Sequence, residues 1–147
     1  MQLIGLGAAT GNAREVIELR NNSNGACDMY GYASLQLLDA VYRPLPSHIF
    51  QRTTAFFQQD PAVADVVVLP VGTPTVDPHR PAEGHAYIPL GWVDEGDQCE
   101  EVVRLRVTPP GSSSSLVIIA GDPSGAGYVS ICSGGAVTVL PVRATPY

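Results

Sequence analysis

Apolar and polar positions alternate over short stretches of this chain, and turn residues cut the stretches at roughly 8–12-residue spacing, the rhythm of sandwich folds. Gln2–Ala8 reads as a first strand, ended by Gly7 and the turn Thr10-Gly11-Asn12. Ala13–Arg20 reads as a second, with Ile17 and Leu19 on one face and Arg14, Glu18 and Arg20 on the other. Asn21-Asn22-Ser23-Asn24-Gly25 is a turn cluster whose last two residues favour positive φ. Leu35–Leu38 is a third strand, broken off by Pro44 and Pro46, and Ile49–Thr54 is either a strand or the start of a long excursion. Residues 55–80 carry Pro61, Pro70, Pro74 and Pro78 around the apolar run Val66–Leu69. They read as a loop holding one short strand, with a short helix at Phe56–Ala64 as the alternative.

The second half is plainer. His85–Trp92 is a strand interrupted by Pro89, which places it at a sheet edge or at a bulge, because proline cannot donate to a ladder. Val102–Val107 sets Val103, Leu105 and Val107 against Val102, Arg104 and Arg106, the pattern of a half-exposed strand. Leu116–Ile119 is a continuous apolar strand, and Tyr128–Cys132 and Ala136–Val142 close the chain. About seven to nine strands and no secure helix predict an all-β, antiparallel sandwich, a single domain over residues 1–147 with one long loop.

Composition agrees. At 147 residues a chain buries about 70% of its unfolded surface, enough for a core without a metal. Charged residues make up only 15%, against 15 glycines and 13 prolines, which suits a turn-rich β protein. A net charge of −6 speaks against a nucleic-acid surface, since phosphate binding needs clustered cations. Every basic residue is arginine: Arg14, Arg20, Arg43, Arg52, Arg80, Arg104, Arg106 and Arg143. Without lysine there is neither a Schiff-base nor a phosphate-loop lysine; codon bias in a GC-rich genome is the preferred reading of the absence. No apolar run reaches the ~18 residues of a membrane span. Met1–Leu6 has no basic start and no small-residue cleavage site, so no signal peptide is read there. The chain is then either a mature form carrying a start methionine or a product made without a signal.

Candidate chemistry is sparse. His48, His79 and His85 stand apart, without the spacing of a metal pair. Asp94, Glu95 and Asp97 around Gly96 offer oxygens for calcium but lack the twelve-residue loop pattern, and a solvated acidic loop is the preferred reading. Ser112–Ser115 lack the nucleophile elbow and read as a flexible connection. Gly121–Gly127 is glycine-rich without a lysine or a following helix. Asn21-Asn22-Ser23 is a formal glycosylation sequon, read here as a turn. Most of Tyr30, Tyr32, Tyr42, Tyr87 and Trp92 are expected in the core or at corners, with Tyr32 as a corner tyrosine bonding nearby backbone. Phe56 and Phe57, in the long loop, are the candidate exposed contact surface. No catalytic, cofactor or metal site emerges.

Four pieces in order carry a family resemblance. Cys27-x-Met29-x-Gly31-Tyr32 precedes Leu35-x-Leu37-Leu38-Asp39-Ala40; Pro81-Ala82-Glu83-Gly84-His85-Ala86 runs on to Trp92; Cys99 leads to Pro109-Pro110-Gly111; and Cys132-Ser133-Gly134-Gly135 runs to Pro141-Val142. Together they resemble a domain of unknown function found in exported proteins and lipoproteins of actinobacteria, which typically reads Cys-x-Leu-x-Gly-Tyr-Pro and carries a Pro-Pro-Gly segment. The resemblance spans nearly the whole chain and implies an immunoglobulin-like sandwich with no known activity. Ala33 stands where the family usually has proline, which leaves that turn looser, and the cysteine the family usually carries before its first strand is missing.

Three cysteines leave one over. The resemblance implies a disulfide between Cys27 and Cys99 and a free thiol at Cys132; three buried thiols are the alternative. The expected function is non-catalytic: a structural or decorating subunit on the surface of an assembly such as an actinobacterial virus particle. The alternative is an extracytoplasmic binding module of the cell envelope, its signal peptide or lipid anchor removed. Both imply protein partners, no nucleic acid, no membrane insertion and no cofactor, and leave any small-molecule ligand open.

Overall fold

The computed structural model describes residues 1–9, 11–53, 63–72, 83–121 and 127–146. It is all-β and sandwich-like, with twelve strands among the described residues. A five-stranded sheet has the order β1 (Gln2–Ala9), β2 (Asn12–Arg20), β7 (His85–Val93), β12 (Ala136–Val139), β5 (His48–Gln51). Facing it is a three-stranded sheet, β10 (Leu116–Ile119), β9 (Arg104–Thr108), β4 (Ser34–Leu38). Two ribbons complete the fold: β3 (Cys27–Met29) with β6 (Val67–Leu69), and β8 (Glu100–Val102) with β11 (Val129–Ile131). The core fills the gap between the sheets. Ile17, Ile88, Leu90, Trp92 and Val139 come from one, Leu37, Leu105, Val107 and Ile118 from the other, and Leu69 and Ile131 from the ribbons.

Strand pairing is antiparallel, as expected, with one exception: β12 runs parallel to β5, with Val137 opposite Ile49. The edge position considered for the Pro89 strand is corrected. β7 is central, paired to β2 on one side and β12 on the other. Pro89 survives there because its missing N–H faces a register break. Val139 sits opposite Leu90, whereas Arg143 sits opposite Tyr87, so one residue is inserted beside Pro89, and the Pro89 carbonyl accepts from the Leu140 N–H at 3.0 Å.

The strand expected at Val102–Val107 is broken into β8 and β9 by a bulge at Val103. The Val103 N–H donates to Leu38 O at 3.1 Å, while its carbonyl accepts from Ala120 N–H at 2.9 Å. Donor and acceptor thus point to opposite neighbours, which a regular strand residue cannot do. Between β11 and β12 the chain reverses in a left-handed turn, Cys132–Gly135, with φ of 56° at Ser133, 69° at Gly134 and 76° at Gly135. Only glycine fits at 135, because a Cβ there would run into the Pro46 carbonyl oxygen.

Candidate functional site

Three features stand out from this scaffold: a disulfide, two carboxylates withdrawn from solvent to different degrees, and exposed apolar strand faces.

The disulfide joins Cys99 to Cys132, and Cys27 is the free, exposed thiol. The expected Cys27–Cys99 bond with a free Cys132 is therefore corrected. Topology is the reason. Cys27 lies on β3 opposite Leu69, whereas Cys99 and Cys132 directly flank the paired strands β8 and β11, where Glu100 stands opposite Ile131. The acidic loop packs onto the same turn: Ser133 N–H donates to Asp97 O at 3.2 Å and Gly134 N–H to Gln98 O at 2.8 Å. Asp94 and Glu95 lie instead beside Gly11, whose carbonyl accepts from the Asp94 N–H at 3.0 Å. Among the described residues no group of three or more His, Cys, Asp or Glu is placed to hold a metal ion.

Both carboxylates lie on β2, Glu18 buried and Glu15 half-buried. Glu18, on the outward face of the five-stranded sheet, meets His85 Nδ1 through Oε1 at 2.8 Å and accepts from Gln2 Nε2 through Oε2 at 2.6 Å. His85 is thus a buried structural partner at the start of β7. His48 is exposed at the start of β5, and His79 lies outside the described residues. Glu15 occupies the inward register position opposite Leu90, between Ala13 and Ile17. Its Oε2 is buried with no hydrogen-bond partner, and burial pushes its carboxyl from 4.5 up to about 7. The hydrophobic pattern flags neither group, because a lone acid within a strand reads as solvent-facing.

Asn21, the sequon asparagine, is buried and fully engaged. Its Nδ2 donates to Gly25 O at 2.8 Å and Leu69 O at 2.9 Å, while its Oδ1 accepts from Ser23 N–H at 2.9 Å. A nitrogen so placed ties β2 to β6 and is not offered to a glycosyl donor in the folded chain. Among the described residues no hydrogen bond engages the Tyr32 hydroxyl. The corner expected there is tied instead by Val142 N–H to Gly31 O at 2.8 Å.

Several of the exposed apolar residues lie on two strand faces. On the β3–β6 ribbon Asp28 is opposite Val68, and alternation puts Tyr30 and Val66 on that same face. Tyr30 is 61% exposed, Val66 54% and Val68 68%. On the three-stranded sheet, Val117 and Ile119 of β10 lie outward beside Arg106 and Arg104 of β9. Arg104 stacks at 4.3 Å over the exposed ring of Tyr42. Phe56 and Phe57, the contact surface expected from the sequence, lie outside the described residues, as do residues 122–126 of the glycine-rich turn. No helix among the described residues is long and apolar enough to cross a membrane.

The architecture defines an all-β, sandwich-like module with a disulfide at one end and apolar strand faces open to solvent. Residues 1–143 match the model of the family described as a domain of unknown function (DUF4232), and the chain belongs to that family. No curated protein and no solved structure matches it.

Proposed function

We propose that this chain is a non-catalytic β-sandwich subunit that works by protein contact on the outside of a larger assembly, such as an actinobacterial virus particle. The observation that carries this reading is the face of the β3–β6 ribbon, where Tyr30, Val66 and Val68 are all more than half exposed. Strand faces of this kind cost solvation unless a partner covers them. The acidic, lysine-free surface argues for a protein partner rather than nucleic acid.

A second reading, an extracytoplasmic module of the cell envelope, is favoured by the Cys99–Cys132 bond, because such bonds persist where surroundings are oxidising. The two readings share the same contact chemistry and differ in setting.

Fractionation of the natural source tests both. The chain should sediment with virus particles under the first reading and with envelope fractions under the second. In either case the Tyr30→Glu, Val68→Glu double variant should release it into the soluble fraction with an unchanged melting temperature. A wild-type chain that stays in the soluble cytosolic fraction with Cys99 and Cys132 reduced would overturn both.

A further inference from the structure

The structure points to a second binding surface that does not depend on the β3–β6 ribbon: we propose that the free edge of β10 pairs antiparallel with β10 of a second copy of this chain. The three-stranded sheet has two edges, and they are treated differently. Beyond β4 the chain folds back, so that Leu45 N–H donates to Leu37 O at 2.9 Å and Pro44 bridges Leu38. Beyond β10 no ladder partner exists among the described residues; β1 passes nearby but shares no ladder with it. Soluble proteins guard such an edge with charge, proline or a bulge. Here the ten residues Ser112–Gly121 carry no charge and no proline.

The direction of the free backbone groups fixes the register. Ala120 N–H donates to Val103 O, so the N–H and C=O groups of Ile118 and Leu116 also face β9. By antiparallel alternation those of Val117 and Ile119 face outward. Two copies then match through a twofold axis at Ile118. Val117 of one copy exchanges both hydrogen bonds with Ile119 of the other, and the reverse pair does the same, giving four bonds. The axis also sets Leu116, 54% exposed although it lies at an inward register position, opposite Ala120 of the second copy.

Copies with a net charge of −6 repel each other at long range, but Ser112–Gly121 carry no charge, so these residues add no repulsion at the contact. Arg104 and Arg106 sit one strand back and are engaged within their own chain, by Tyr42 and by Gln36. The result is one continuous sheet of six strands whose outer face carries a Val117–Ile119 stripe. Four residues span only about 14 Å of strand, so the contact falls below the ~1,200 Å² of a stable interface and the dimer is a weak one.

Sedimentation equilibrium of the full chain from micromolar to millimolar concentration tests the proposal, together with amide exchange at the two ends of that range. The mass should rise toward twice the monomer, and the amides of Val117 and Ile119 should gain protection with concentration while that of Ile118 stays protected throughout. Val117→Lys and Ile119→Pro should each weaken dimerisation by about tenfold or more with an unchanged circular dichroism spectrum, since the proline in the second variant would remove only an outward-facing N–H. Three results overturn it: a monomer at every concentration, dimerisation that both variants retain, or edge amides in the wild type that exchange freely at millimolar concentration. The exchange measurement needs no variant, so a variant that misfolds does not rescue the idea. The Tyr30→Glu, Val68→Glu variant should dimerise like the wild type, which separates this surface from the one on the ribbon.

Discussion

The two sheets of this molecule are built from similar residues and end in different environments. In the five-stranded sheet both faces of β2 and β7 are buried: Ile17, Ile88 and Leu90 inward, Val16, Tyr87 and Glu18 outward. In the three-stranded sheet the outward face is buried at Leu38 of β4 but exposed along β10. Ile118 is buried while Val117 and Ile119, its neighbours in sequence, meet solvent. Four apolar residues in a row therefore carry two meanings. In β7 such a run marks a central strand buried on both faces; in β10 it marks a strand that, among the described residues, has a ladder partner on one side only.

The largest effect should come at the joint between the two halves. Gly135→Val forces a branched side chain into positive φ and against the Pro46 carbonyl, and should cost more than about 4 kcal/mol by urea titration. Gly134→Ala, at positive φ where a Cβ would meet only the His48 ring at ordinary contact distance, should cost only about 1–2 kcal/mol. Next comes the bond that closes the same joint. Cys99→Ser opens a loop spanning a sequence separation of 33 and should cost about 3–4 kcal/mol in the chain-entropy model, read from melting under non-reducing conditions.

Glu15 provides a pH signature confined to the five-stranded sheet. Burial raises its carboxyl to about 7, so the folded chain keeps a proton that the unfolded chain releases near 4.5. Below 4.5 both states are protonated and the group costs nothing. Between 4.5 and 7 stability falls as pH rises, and above 7 the cost is complete, on the order of 3 kcal/mol at 1.36 kcal/mol per pKa unit. Glu15→Gln should flatten that slope; an unchanged slope between pH 5 and 7 would show that another group carries it.

A smaller effect sharpens the contrast between the sheets. Val16 and Val117 both lie on outward faces, yet only Val16 is fully buried. Val16→Ala should cost about 2 kcal/mol, and Val117→Ala should stay within about 0.5 kcal/mol. Equal costs would mean that the outer face of the three-stranded sheet is covered in solution. The smallest effect concerns Cys27, exposed on β3: under native, non-reducing conditions thiol titration should count one group, and Cys27→Ser should leave the melting temperature unchanged.

Much of the fold was legible in the residues. Alternation at Ile17 and Leu19, the apolar run at Leu116–Ile119 and the turn glycines mark strands and bends through local physics: side-chain period, backbone entropy and positive φ. Pro89 signalled an irregularity, and of the two options, edge or bulge, the bulge is the one the fold uses. The Cys99–Cys132 pairing was not legible, because it depends on β8 lying beside β11, a contact between distant segments. Glu15 was missed for a related reason. Whether an acid on a strand faces water depends on what lies across from it, and here that is Leu90.

The sequence alone determined that this chain is a turn-rich β protein without lysine chemistry, since those properties reside in composition and short-range pattern. Which cysteines meet, which carboxyl is drawn away from water and which apolar strand face meets solvent were decided only by tertiary structure. Each of those outcomes depends on a neighbour tens of residues away, and a strand's own residues do not specify which neighbour it receives.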